Sequence, residues 1–310
     1  MIQRCKSIIP IVLILLEIPA ELKKRRIEIA VISDVHLGTS RCHAEELLAY
    51  LSSIRPKKLI LNGDIIDGWE FDKHFFPPAH FRVIKKVFSM AANGTEVYYI
   101  CGNHDEMLRK FNNHSMGHFH IRNKLSLNLD GKKAWIFHGD VFDLSLQNTK
   151  WIARLGSRGY SILLKLNRVV NRWISKNGKP KISLASQIAQ SPKAKQYISH
   201  FKKTVTDLAI RNSFDFVVCG HIHQPGKEWF ETDAGSCVYL NSGDWVENLT
   251  ALEYHFKRWK IYRYNEDKLS PFFADEDLKE MDINDLISNI VDPTPEDGVP
   301  KKEKEKPSGQ

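Results

Sequence analysis

The sequence predicts an α/β protein built on a parallel sheet, and three patterns carry that expectation. From residue 27 to residue 101, short apolar runs alternate with amphipathic helical stretches in a βαβαβ rhythm. Five strand-like runs end abruptly in Gly, Asp, Asn or His, at the strand ends where parallel sheets hold their ligands. After residue 125 the runs come as hairpins, so a second, more antiparallel sheet is expected in that half.

Residues 27–33 are apolar and β-branched, which reads as a buried strand. Residues 44–54 place Leu47, Leu48, Leu51 and Ile54 on one helical face. A strand is expected at 59–62, and a helix at 81–92 closed by Asn93 and Gly94. Residues 97–101 form a third strand, and 126–130 with 132–138 flank Gly131 as a hairpin. Further strands are expected at 214–219, 237–241 and 250–254, with residues 251–264 an aromatic, alternating hairpin.

The net charge of +8 is unevenly placed. Between Lys150 and Lys203 there are 13 Lys or Arg and no Asp or Glu, which leaves the rest of the chain net acidic. Within that segment Tyr160, Leu163, Leu164, Asn167, Val170, Trp173 and Ile174 fall on one helical face, and Lys165, Arg168, Arg172 and Lys176 on another. The helix breaks at residues 177–180, and a second helix is expected over 193–210. The segment, about residues 145–212, reads as a helical insertion within the sheet domain. Such a surface suits an anionic membrane leaflet or a phosphate-bearing ligand; the plainer reading is a solvated helix pair.

At 310 residues and 42% hydrophobic, the chain can bury one large core or two smaller ones. Its five cysteines show no paired spacing, which argues for a reducing compartment. Residues 8–16 are apolar, interrupted by Pro10, and too short to span a bilayer of ~30 Å. Lys23, Lys24, Arg25 and Arg26 follow, and such a cluster opposes export. Residues 1–26 are therefore read as a weak anchor or an extension rather than a cleaved signal. The domain is expected over 27–270, followed by a tail, 271–310, disordered after about residue 292. The expected location is cytoplasmic, peripheral to the inner membrane.

The five strand ends carry Asp34 and His36, Asp64 and Asp67, Asn103 to Asp105, His138, and His221 with His223. Oxygen and imidazole donors without thiolate suit Mn²⁺, Fe²⁺ or Zn²⁺. In Asp-x-His and His-x-His, extended backbone would aim residues i and i+2 the same way. Seven donors exceed one tetrahedral site and suffice for two divalent ions if Asp64 bridges. His104 is the candidate proton donor and Asp105 the candidate to orient its ring. One such motif alone is a chance match more often than a site; five in order are not. His114, His118 and His120 are read as loop histidines near the mouth of the site rather than as a third metal site.

These motifs resemble those of the calcineurin-like metallophosphoesterases: D-x-H at Asp34, G-D-x-x-D at Gly63, G-N-H-D at Gly102, the histidine His138, and G-H-x-H at Gly220. The resemblance implies a four-layer α/β/β/α sandwich with a dinuclear centre. It implies Asp34, His36, Asp64 and His223 on one metal, and Asp64, Asn103, His138 and His221 on the other. It also implies a supporting role for Asp67 and proton donation by His104. Within the family the arrangement is similar to the UDP-2,3-diacylglucosamine hydrolase branch, where an insertion after H-G-D is a lid for acyl chains. Tyr160, Arg168, Arg172 and Trp173 are the lid candidates here. The best-known members of the branch carry Arg where this chain has His104; Gly-Asn-His-Asp is the form of the wider family.

The resemblance thus implies hydrolysis of a pyrophosphate in an acylated sugar nucleotide, near an anionic membrane surface. The alternative is a phosphodiesterase acting on another nucleotide or on nucleic acid along the basic surface. A non-catalytic scaffold on the same fold ranks last, because all seven donors are present.

Overall fold

The computed structural model describes residues 24–69, 75–142 and 191–267, all within the compact unit Met1–Ala274. The expectations for residues 1–23, for the basic helix carrying Tyr160, Arg168, Arg172 and Trp173, and for the tail lie outside the described residues.

A seven-stranded sheet runs in the order β12-β11-β1-β2-β3-β5-β4. Its parallel centre is β1 (Arg25–Ile32), β2 (Ile54–Asn62), β3 (Glu96–Ile100) and β5 (Phe119–Arg122). The two-residue β4 (Ser115–Met116) pairs antiparallel with β5 at one edge. At the other edge β11 (Thr250–His255) pairs antiparallel with β1, and β12 (Arg258–Arg263) pairs antiparallel with β11. The last hairpin therefore joins the first sheet instead of enlarging the second. The aromatic alternation was read correctly as a hairpin, but it carries no information on which open edge the hairpin takes.

The second sheet has five strands in the order β6-β7-β8-β10-β9. β6 (Leu125–Leu129) and β7 (Lys132–Ile136) form the expected hairpin. β8 (Phe216–Cys219) lies parallel to β7 and to β10 (Gly235–Asn241), with β9 (Gly226–Thr232) antiparallel at the edge. This sheet is mixed, not mainly antiparallel. β9 escapes the periodicity argument because Lys227, Glu228 and Trp229 are all exposed, leaving no apolar face to read.

Alternation along the strands sorts side chains between two cores. Ile29, Val31, Ile60 and Ile100 of the first sheet meet Ala134, Ile136, Val218 and Leu240 of the second. The odd-numbered neighbours in the second sheet, Val217, Cys219, Cys237 and Tyr239, face away and pack on α3 (Pro192–Arg211) through Phe201, Val205 and Ala209. On the far side of the first sheet, α1 (Ala44–Ser53) and α2 (Pro78–Ala92) bury Leu47, Leu51, Val83 and Val87. The layers are α/β/β/α, as the motif resemblance implied.

Local chemistry sets the element ends. Pro78 opens α2 three residues before the expected start, using the position where a missing N–H costs nothing. Ser191 caps α3 by accepting from the Ala194 N–H at 3.3 Å. β2 begins five residues earlier than expected and contains Pro56, tolerated because β3 pairs only from Lys58 onward. Arg25 and Arg26 belong to β1, and Arg25 makes a two-pronged ion pair with Glu253 at 2.9 and 3.0 Å. His118 and His120 are not at the mouth of the site. They lie at the start of β5, against Glu96 at the start of β3, the opposite end of the sheet.

Candidate metal centre

All seven sequence-predicted donors sit at the carboxyl ends of strands, facing the gap between the sheets. The first sheet supplies Asp34 and His36 after β1, Asp64 after β2 and Asn103 after β3; the second supplies His138 after β7 and His221 and His223 after β8. Asp34, His36 and His223 bring one ligand atom each within 4.8 Å of one another, and so do Asp64, His138 and His221. His223 Nε2 lies 3.2 Å from Asp34 Oδ1, and His138 Nε2 lies 3.2 Å from Asp64 Oδ2. His36 Nε2, Asn103 Oδ1 and His138 Nε2 are buried without a hydrogen-bond partner among the described residues. Buried polar atoms left over in this way are costly unless a ligand completes them. The donor set fits a pair of divalent ions.

The backbone reaches this arrangement by a route the sequence did not suggest. Asp34, His36, Asp64, His221 and His223 all have positive φ, between 52° and 66°. Each is in the left-handed region, which costs a non-glycine residue of order 1–2 kcal/mol. The Asp-x-His and His-x-His pairs are therefore coiled, not extended, and the alternation argument does not explain them. Hydrogen bonds hold the coil: Asp34 N–H donates to Gly63 O at 3.0 Å, and Val35 and His36 both donate to Asp64 O at 2.9 and 3.0 Å. The glycines give clearance. A Cβ on Gly102 would run into the Asp64 carboxylate, and one on Gly220 would lie 2.6 Å from Asp34 Oδ2.

A layer of partners fixes each ring. His138 Nδ1–H donates to Asn62 O at 2.8 Å, since a carbonyl can only accept, and this turns Nε2 toward Asp64. His36 Nδ1 is 3.0 Å from Asp67 Oδ2, which orients the ring in the same manner. Asp34 accepts from the His221 N–H at 3.1 and 3.2 Å, and Asp64 Oδ1 accepts from the His104 N–H at 2.8 Å.

Asp105 does not orient His104. Its Oδ2 accepts from Tyr99 Oη at 2.6 Å and from Ile65 N at 2.9 Å, and its Oδ1 from Gly102 N at 2.5 Å. It braces the loop instead. The neighbour of the His104 ring is Asp67, with Oδ1 3.0 Å from Nδ1, an ion-pair contact rather than an aligned hydrogen bond. Gly68 N–H donates to His104 O at 2.8 Å, and Trp69 lies over the ring at 4.4 Å between centroids. Spacing pointed to the adjacent residue; the folded loop brings a carboxylate from 37 positions upstream.

A sixth strand end completes the site. After β10, Asn241 donates to Gly220 O at 2.7 Å and Ser242 Oγ meets Ser33 Oγ at 2.7 Å. Asp244 is fully buried, with Oδ2 3.9 Å from His223 Nδ1, and Asn248 donates to His223 O at 2.9 Å. Asn241-Ser242-Gly243-Asp244 has the same layout as the other five strand ends. That layout is the signal the sequence offers for it, weakened because the stretch has no histidine.

Burial raises the cost of every charge here, yet the opposite charges prevail. Asp64 is held well below the usual carboxylate range, against burial, by His138, His36 and His104. Asp34 is lowered, again against burial, by His223. Correspondingly, burial works to lower His138, but Asp64 lifts it well above its ordinary value. Burial likewise opposes His223, which Asp34 raises to about 9. Metal binding needs neutral imidazoles, so it must expel the protons of His138 and His223. Metal affinity is expected to weaken as pH falls below about 9, by roughly tenfold per unit for each proton released. Calorimetry in buffers of different ionisation enthalpy counts those protons; a titration with no proton release at pH 7 would contradict it.

Residues 27–225 match the calcineurin-like phosphoesterase family. A UDP-2,3-diacylglucosamine hydrolase of Blochmanniella pennsylvanica is 29% identical over 204 residues, covering 63% of this chain and 78% of that protein. One from Aliivibrio fischeri is 24% identical over 242 residues, covering 75% and 96%. Among solved structures, an archaeal phosphodiesterase is 15% identical with a TM-score of 0.37, covering 76% of this chain and 98% of that one. That overlap is too loose to bear on substrate. With more than half its length matched, the chain belongs to the calcineurin-like phosphoesterase family and is a metal-dependent phosphoesterase.

Proposed function

We propose that the protein hydrolyses the pyrophosphate of UDP-2,3-diacylglucosamine, releasing UMP and 2,3-diacylglucosamine 1-phosphate. The carrying observation is the convergence of three donor groups, Asp34/His36/His223, Asp64/His138/His221 and His36/Asp67/His104, on one gap. The choice of substrate is supported by relatives of that name, which align over up to 96% of their own length.

Asp34, His36, Asp64 and His223 would hold one divalent ion, and Asp64, Asn103, His138 and His221 the other, with Mn²⁺ the proposed metal. Bound ions would supply charge neutralisation at the phosphoryl group and acidify a bound water. His104 donates a proton to the leaving oxygen. Burial opposes its charge, but Asp67 and Asp64 raise its pKa above the ordinary value, which favours the protonated, donating form. Asp67 serves two rings, His36 and His104, and so couples the metal donor to the proton donor.

Tyr160, Arg168, Arg172 and Trp173 are proposed to contact acyl chains and phosphate. The proposed location is the cytoplasmic face of the inner membrane, supported by the acid-free basic segment. No helix among the described residues is long and apolar enough to cross a membrane. A second reading, phosphodiester hydrolysis on another nucleotide, is favoured by one residue: His104 is the wider family's form at that position.

Purified protein with Mn²⁺ and UDP-2,3-diacylglucosamine is expected to release UMP. No UMP, with turnover of bis(p-nitrophenyl) phosphate, would move the assignment to the second reading. No turnover of either would overturn both.

A further inference from the structure

We propose a second metal site, remote from the candidate centre, formed by Glu96, His118 and His120, for a late first-row divalent ion such as Zn²⁺ or Ni²⁺. β3 and β5 are parallel neighbours with Val97 opposite Phe119 and Tyr98 opposite His120. Glu96 therefore stands opposite His118, and alternation puts Glu96, Tyr98, His118 and His120 on one face of the sheet. The contacts agree. His118 Nδ1 is 2.6 Å from Glu96 Oε1, and His120 Nε2 is 2.7 Å from Glu96 Oε2. The Tyr98 ring stacks on His120 at 4.9 Å and fixes its plane.

Two imidazoles and one carboxylate, without thiolate, are donors that the late first-row ions prefer. His120 also has the outer partner that metal-binding histidines usually carry: its other nitrogen, Nδ1, is 2.9 Å from Ser115 Oγ. Arg122 donates to the same hydroxyl at 3.1 Å and anchors it. Access is open, since the His118 side chain is 51% exposed and that of Glu96 33%. Glu96 now stands between the rings, one oxygen to each. The three donor atoms are thus not yet gathered as those of the candidate centre are; an ion takes that central place when the carboxylate and the exposed His118 ring both turn.

The site cannot share an ion with the candidate centre. Glu96 begins β3 and Asn103 follows its other end, seven residues on, roughly 20 Å along an extended strand.

The test counts ions. Wild-type protein and the His118→Ala/His120→Ala variant are loaded identically with Mn²⁺, then Zn²⁺, dialysed and measured by plasma mass spectrometry. The variant is expected to hold one ion fewer per chain and to keep its rate on bis(p-nitrophenyl) phosphate. Glu96→Gln, which preserves shape, is expected to weaken the same ion. Equal counts in wild type and double variant would show an imidazole–carboxylate ion pair only and overturn the site. The count is independent of the substrate assignment, so either can fail without the other.

Discussion

Asp64→Ala is expected to remove bound metal and cut phosphoesterase turnover by well over about 100-fold, more than the 10–100-fold typical of losing an outer partner. Asp64 is 2% exposed, groups with His138 and His221, and through its backbone carbonyl accepts from Val35 and His36 beside the other group. Its Oδ2 faces His138 at 3.2 Å and His104 at 4.0 Å, while Oδ1 accepts from the His104 backbone. Without it, His138 is a buried imidazole whose raised pKa has lost its cause. Metal analysis and the rate on bis(p-nitrophenyl) phosphate check the result together. Near-normal metal and rate would remove Asp64 from its proposed bridging place.

His104→Ala is expected to lower kcat by roughly 10²–10⁴, the usual contribution of a positioned acid, with metal content unchanged. The ring belongs to neither of the two proposed four-donor sets, so the ions have no reason to leave. The pH profile separates this role from a structural one. Because the carboxylates raise the pKa of His104 against burial, the alkaline fall in activity should come at higher pH than an ordinary histidine would give. In the variant the alkaline limb should flatten. An unaltered profile, or loss of metal with the ring, would contradict the proton-donor role.

The donors were legible in the sequence because their chemistry leaves few choices. A strand that ends in Asp-x-His, or in His after Gly, has little reason to do so in a core. The layer arrangement was legible for a related reason: apolar runs such as residues 27–33 and 97–101 are too uniformly buried for anything but a covered sheet. What stayed hidden depends on distant contacts. Asp67 reaches His104 only because Gly68 docks on the His104 carbonyl. The left-handed turns at Asp34, His36 and Asp64 are imposed by hydrogen bonds between the ends of β1 and β2, not by their residue types. Asp244 is isolated in sequence and meaningful only beside His223.

The placement of the final hairpin has a consequence for how the protein is made. β1, which leads into Asp34 and His36, leaves the ribosome well before the strand that covers its edge. Its neighbour on one side, β11, comes more than two hundred residues later. Until then β1 has an open edge, and His221 and His223 are still to be translated. The ligand cluster cannot close until His221 and His223 have emerged, and until β11 follows, the nascent chain must shelter an unpaired strand edge. Long-range pairing of this kind also slows folding, so the complete donor set forms late relative to the β1–β2–β3 core.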